Sequence, residues 1–154
     1  MNRLLSSSLA TLAAVAGLAT ALPAAAQFAK PEDAIRYRQS GMTMMAAHFG
    51  RVAAMANGKI PFDAKAAAEN AEIAAYLSKL PFAGFVEGTD KGETKAKPDI
   101  WKEADKFRAN ATKMQDEMVK LAAAAKGGNV DTIKAAVGEV GKQCKGCHDT
   151  YRKE

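Results

Sequence analysis

From residue 31 onward, apolar positions recur every three or four residues, and nothing after Gln27 alternates with the period of two that a strand needs. Four segments carry this helical rhythm. The first covers residues 31–55, with Ile35, Met42, Met45, Phe49 and Val52 on one stripe. Pro31 suits a first helical position, and Glu32 and Asp33 complement the positive end of the helix dipole. Asn57-Gly58 ends the segment. The second begins at an N-capping Asp63 and runs to Lys79, with Ile73, Leu77 and Leu80 on one side and Pro81 as its stop. A polar, glycine-containing loop occupies residues 84–97. The third starts near Pro98 and Asp99. Its stripe is Ile100, Ala104, Phe107, Ala111, Met114, Met118, Leu121 and Ala125, with Trp101 beside it. Gly127-Gly128 separates it from the fourth, which Asn129 caps. There the stripe is Val130, Ile133, Val137, Val140, Cys144, Cys147 or His148, and Tyr151.

Four amphipathic helices with short connections predict an all-α protein, an antiparallel four-helix bundle with crossing angles near 20°. Abundant alanine fits that geometry, because small side chains let helices approach closely without loss of helix propensity. The chain has 154 residues, 25% of them charged, and a formal charge of +5. One domain is expected at that length, and the balance of charged and apolar residues excludes a disordered chain. Two cysteines are too few for a disulfide scaffold. No block of five or more basic residues occurs, so nucleic acid is not an expected partner.

Residues 1–26 read as a cleaved secretory signal. Arg3 supplies the basic start, residues 9–22 the apolar run, Pro23 the break, and Ala24-Ala25-Ala26 the small-x-small cleavage pattern. The run of about 14 residues falls short of the ~20 that a membrane span requires. Removing 26 of the 154 residues leaves a mature domain of 128, residues 27–154, with a charge of +4 once Arg3 is gone. The expected product is periplasmic and not inserted in a membrane. In an oxidising compartment its two thiols must be bridged, ligated or capped.

Candidate chemistry sits at Cys144-Lys145-Gly146-Cys147-His148, the C-x-x-C-H spacing of c-type haem attachment. Two thiols at this spacing can form thioethers to the vinyl groups on one porphyrin edge, and the next residue offers an imidazole to the iron. The motif uses both cysteines of the chain and one of its two histidines. A thioredoxin-type dithiol would need a βαβ context that the pattern lacks, and a structural zinc site would need a fourth nearby ligand. A covalent haem c, one per chain, is therefore expected, with binding and electron transfer rather than catalysis as the function.

The apolar stripe of the fourth helix runs into this motif, so the facing stripes become candidates for the haem pocket. Arg38 falls on the buried side of the first helix, where a charge needs a partner; a haem propionate matches its fork. Gln39 is placed to add a hydrogen bond. Met42 lies one turn further, and two readings stand: it ligates iron as a thioether, or it packs over an open coordination position. Phe82 and Phe85 wall the same pocket or belong to the plain core. His48 lies off the stripe. Arg152, four residues after His148, covers the imidazole or complements the helix end. Thr94 is a weaker propionate candidate. Lys142, Lys145 and Lys153 would ring an exposed haem edge, where they would either steer an acidic partner or serve only solvation.

A signal segment, four helices and the ending Cys-Lys-Gly-Cys-His-x-x-Tyr-Arg resemble cytochrome c′, the class II c-type cytochromes. Gln27-Phe28-Ala29-Lys30-Pro31, Tyr37-Arg38-Gln39-Ser40, His48-Phe49-Gly50-Arg51, Leu80-Pro81-Phe82 and Pro98-Asp99-Ile100-Trp101 carry the likeness across the mature chain. The resemblance implies a left-handed bundle that dimerises through its first two helices. It implies haem c on Cys144 and Cys147, and His148 as the only protein ligand to a high-spin, five-coordinate iron. Met42, Phe82 and Phe85 would close an apolar distal pocket, and Arg152 would cover the proximal side. Binding of NO and CO, discrimination against O₂, and exchange of electrons with a periplasmic redox partner follow as expectations. Low-spin relatives use Met in the place of Met42, so a six-coordinate carrier is the alternative.

Overall fold

The computed structural model describes residues 27–154, and the expected signal segment lies outside the described residues. The described residues form five α-helices: α1 (Pro31–Ala56), α2 (Ala64–Leu77), the short α3 (Asp99–Lys102), α4 (Ala104–Lys126) and α5 (Val130–Tyr151). A 3₁₀ turn at Pro81–Gly84 follows α2. The ends obey the local rules. The Asp63 carboxylate accepts from the Ala66 N–H at 2.9 Å, and the Asn129 side chain accepts from Thr132 N–H at 3.0 Å. Gly58 and Gly128, at φ 68° and 70°, make the turns after α1 and α4.

The four long helices pack as a ring, with α1 against α2, α2 against α4, α4 against α5 and α5 back on α1. Successive long helices run antiparallel, as predicted, but only the α1–α2 and α4–α5 connections are short; residues 78–103 separate α2 from α4. Val52, Met118, Leu121, Ile133 and Val140 are fully buried at the centre. Two details differ from the sequence pattern. Ile73, expected in the core, is 42% exposed, and α2 instead buries Ala67, Ala71, Ala74, Ala75 and Leu77. Methyl-sized contacts let α2 lie close to α1 and α4 and leave the larger side chain outside. The expected third helix is also interrupted. Glu103 leaves helical geometry at φ −116°, ψ 41°. The break tips α3 so that Ile100 is buried and the Trp101 indole donates to the Val86 carbonyl at 3.0 Å.

The segment after the 3₁₀ turn, residues 85–97, forms a strap across one end of the bundle. Two backbone bonds fasten it to the end of α5: Lys97 N–H donates to Tyr151 O at 2.9 Å, and Lys153 N–H donates to Lys95 O at 2.8 Å. Between them Ala96 and Arg152 form an isolated antiparallel bridge. The strap thereby becomes a wall of the site.

Candidate functional site

α1 contributes Gln39, Met42, Thr43 and Ala46 to a cavity of about 380 Å³ at the strap end of the bundle. Phe82 and Phe85 enter from the 3₁₀ turn and its exit, Lys95 and Ala96 from the strap, and Ile100 and Phe107 from α3 and α4. α5 supplies Cys147, His148 and Tyr151, with Arg152 just beyond its end. The walls are apolar and aromatic. Phe107 lies 4.9 Å from Phe85, 5.7 Å from Phe82 and 5.3 Å from Tyr151, centroid to centroid. The size and an apolar lining with few polar groups are those of a cofactor site.

Two polar groups contributed by α1 are engaged. Gln39 Nε2 donates to Glu93 O at 2.8 Å, and the Thr43 hydroxyl donates to the Gln39 carbonyl at 2.9 Å. Thr43 was missed from sequence, since it falls off the apolar stripe. Lys95, Ile100, Phe107 and Tyr151 were also not singled out for the site; the latter three read as ordinary core positions.

Arg38 takes a different place from the one expected. It does not line the cavity. It is 3% exposed, and its four Nη protons go to protein acceptors. One Nη donates to Gly84 O at 2.8 Å and Thr89 Oγ1 at 2.6 Å, the other to Thr89 O at 2.7 Å and Thr94 Oγ1 at 2.8 Å. Thr94, the other propionate candidate off the lining, is thus a ligand of Arg38; its oxygen also accepts from Ala96 N–H at 3.1 Å. The guanidinium stacks over Phe85, 4.6 Å from the ring centroid. Burial pushes its pKa down to about 10, so it stays charged at neutral pH, with no carboxylate of the described residues in ion-pair contact. Arg38 therefore pins the strap and gives that end of the cavity a buried positive charge.

His48 lies away from the cavity, its Nδ1 2.8 Å from Asn70 Oδ1 across α1 and α2. Lys142 and Lys145 are not free at the haem edge: they pair with Glu139 and Asp149.

Cys147 faces the cavity, whereas Cys144, one turn earlier, packs against the main core. Both are half-buried. Burial raises both thiol pKa values, and the neighbouring Cys144 adds to the rise at Cys147. That is the reverse of the depressed pKa a reactive dithiol needs. His148 is exposed and reaches the same cavity; partial desolvation first, and the adjacent Arg152 charge second, lower its pKa, which favours the neutral, ligating imidazole. A thiol and an imidazole in the wall of an aromatic-lined cavity, with a second thiol one turn away, suit a covalently attached porphyrin.

Fold and site thus define a c-type haem protein built on a four-helix bundle. The family model described as Cytochrome C′ matches residues 33–152. A cytochrome c′ from Rubrivivax gelatinosus is 57% identical over 129 residues, covering 83% of this chain and all of the relative. The crystal structure of cytochrome c′ from that organism superposes with a TM-score of 0.79 at 58% identity, covering 82% of this chain and 100% of the other. A nitric oxide complex of a point variant of cytochrome c prime from Alcaligenes xylosoxidans gives a TM-score of 0.77 at 49% identity, covering 82% and 98%. This chain belongs to the cytochrome c′ family, whose members are haem electron carriers with covalently bound haem c. Among the described residues no helix is long and apolar enough to cross a membrane.

Proposed function

We propose that the chain is exported to the periplasm, loses residues 1–26, and carries one haem c through thioethers at Cys144 and Cys147, with His148 as its only protein axial ligand. The haem supplies one-electron redox chemistry and an open coordination position for NO and CO. The protein's own residues do the rest. His148 holds the iron from one side. Met42, Phe82 and Phe85 exclude water and pack without ligating. Gln39, Lys95 and Arg152 stand at the polar rim toward the propionates, and buried Arg38 adds positive charge to that end through the strap. Arg152 covers the proximal imidazole.

The observation that carries this reading is the shared cavity: Cys147 and His148 of the attachment motif line it together with Met42, Phe82 and Phe85. The Gln39 amide and Thr43 hydroxyl each donate to a backbone carbonyl, and thioether and phenyl groups have no proton to give. A distal wall of Met42, Phe82 and Phe85 offers no donor, which favours NO and CO over O₂, whose bound form needs a hydrogen bond. Absorption spectra of ferric, dithionite-reduced and NO-treated holoprotein test the reading. Broad high-spin bands that shift on NO addition are expected. A sharp low-spin α-band on reduction would make Met42 the sixth ligand and the protein a six-coordinate carrier.

The homodimer belongs to the same proposal. Met44 on α1 is 52% exposed, and Ile73 and Tyr76 on α2 are 42% and 68% exposed. Large apolar side chains left in water on the first two helices suit a partner copy.

A further inference from the structure

Beside the haem cavity lies a second recess of about 440 Å³, lined by Lys95, Lys97, His148, Asp149, Arg152, Lys153 and Glu154. It shares Lys95, His148 and Arg152 with the cavity. Most cations of the described surface that make ion pairs do so with a carboxylate one helical turn away, Lys142 with Glu139 and Lys145 with Asp149 among them. Lys95, Lys97, Arg152 and Lys153 have no such partner among the described residues. The Lys97 ammonium rests on carbonyls at the end of α5, 3.2 Å from both Asp149 O and Thr150 O. The strap pairing fixes these four side chains side by side, two from each segment. Against them stand Glu154 and Asp149, the latter already paired with Lys145.

We propose that this recess, formed by Lys95, Lys97, Arg152 and Lys153, is where an acidic redox protein docks to exchange electrons with the haem. The proposal rests on the electron-carrier role. Four like charges held together by backbone bonds repel one another, and an acidic surface relieves that repulsion. A protein suits the recess better than a small anion. Lys95, Arg152 and Lys153 are all exposed, so the recess offers a broad charged rim rather than a desolvated pocket. Docking there brings the partner against residues that also line the haem cavity. One electron passes from the partner's donor group to ferric iron, which becomes ferrous as the partner is oxidised by one electron, with no bond made or broken. The field of the recess steers encounter and orientation.

The test uses the full holoprotein with flavodoxin as an acidic protein probe and hexacyanoferrate(III) as a small anionic oxidant of the ferrous form. Four proteins are compared: wild type, Lys95→Glu/Lys153→Glu, the neutral Lys95→Gln/Lys153→Gln, and Lys59→Glu/Lys134→Glu as a control. The control residues line a recess with Ile60 and Phe62 away from the strap and carry equal charge change. Binding to immobilised oxidised flavodoxin is measured by surface plasmon resonance, and electron transfer from flavodoxin hydroquinone by stopped flow, both over a salt series. At low salt the reversed pair should lose about tenfold or more in both, the neutral pair less, and the control little, with the differences fading at high salt. Equal loss in the control, or flavodoxin binding blind to Lys95 and Lys153, overturns the docking site. Loss confined to hexacyanoferrate(III) makes the recess a small-anion site and overturns it too. If wild-type haem exchanges electrons with neither probe, the carrier role itself fails, an outcome separate from the binding result.

Discussion

Arg38 and Thr89, 51 positions apart, are joined by two hydrogen bonds, at 2.6 Å to the threonine hydroxyl and 2.7 Å to its carbonyl. The hydroxyl passes its own proton to Val86 O at 2.7 Å. One side chain of α1 therefore sets the path of the whole strap. Thr89→Val removes the side-chain acceptor while keeping the shape. It should cost about 1.5–3 kcal/mol, the range for a hydrogen bond to a charged group, in urea unfolding of the holoprotein. Arg38→Lys should cost more, because a point-charge ammonium cannot span Gly84, Thr89 and Thr94 together. Amide exchange at residues 94–97 should accelerate in both.

Gly84 has no room for a side chain. A Cβ there would lie 2.6 Å from the Ala34 carbonyl and 2.9 Å from Arg38 Cβ. The carbonyl belongs to the α1 backbone and cannot step aside, so Gly84→Ala should lower stability by about 1–3 kcal/mol, as overpacking does. A melting temperature equal to that of wild type would show that the 3₁₀ turn floats relative to α1.

Met42 distinguishes packing from ligation. In the five-coordinate reading, Met42→Leu leaves the ferric and ferrous spectra unchanged. Met42→Ala should bind CO faster, because it widens the cavity. Its stability loss should fall below the about 2–5 kcal/mol of a fully buried Met, since Met42 is only half-buried. Conversion of a low-spin into a high-spin spectrum by either substitution would reveal a lost sulfur ligand.

The two attachment cysteines differ in setting, and their variants should differ too. Cys144→Ala and Cys147→Ala should each leave one thioether, so acid–acetone extraction releases haem only from the double variant. Cys144 packs against the main core, whereas Cys147 faces the cavity. Cys144→Ala should therefore lower the unfolding midpoint the more, and intact-protein mass spectrometry checks the attachment.

For the dimer, Ile73→Glu combined with Tyr76→Glu should yield a monomer in sedimentation velocity without change in helicity. Both side chains are exposed in the single chain, so the fold itself tolerates the charge. A dimer that survives the pair would move the interface elsewhere.

The sequence pattern carried the bundle and the haem-bearing edge because both are local. Helical periodicity put Met42 on a buried stripe, and Cys147 and His148 sit in a contiguous motif. The strap has no period at all. Its position follows from Arg38 and from the pairing with residues 151–153, contacts between distant positions that no local pattern encodes. Ile73 misled for a related reason: hydrophobicity marks it as core, but the close approach of α2 to its neighbours admits alanine. Glu103 gives no breaker signal, since the break in the helix comes from the docking of Trp101 on Val86. The pairing of Lys142 and Lys145 was by contrast readable, because Glu139 and Asp149 stand three and four residues away.

The fastening of the strap to α5 has a consequence for the order of assembly. Lys97 and Asp149 are 52 positions apart, and closing so long a loop is slow compared with pairing α1 with α2 or α4 with α5. The helical hairpins can thus be in place while the wall at residues 95–97 is still open. That interval is when a bulky flat molecule can be inserted and joined to the chain, before the two segments zip together and shut it in.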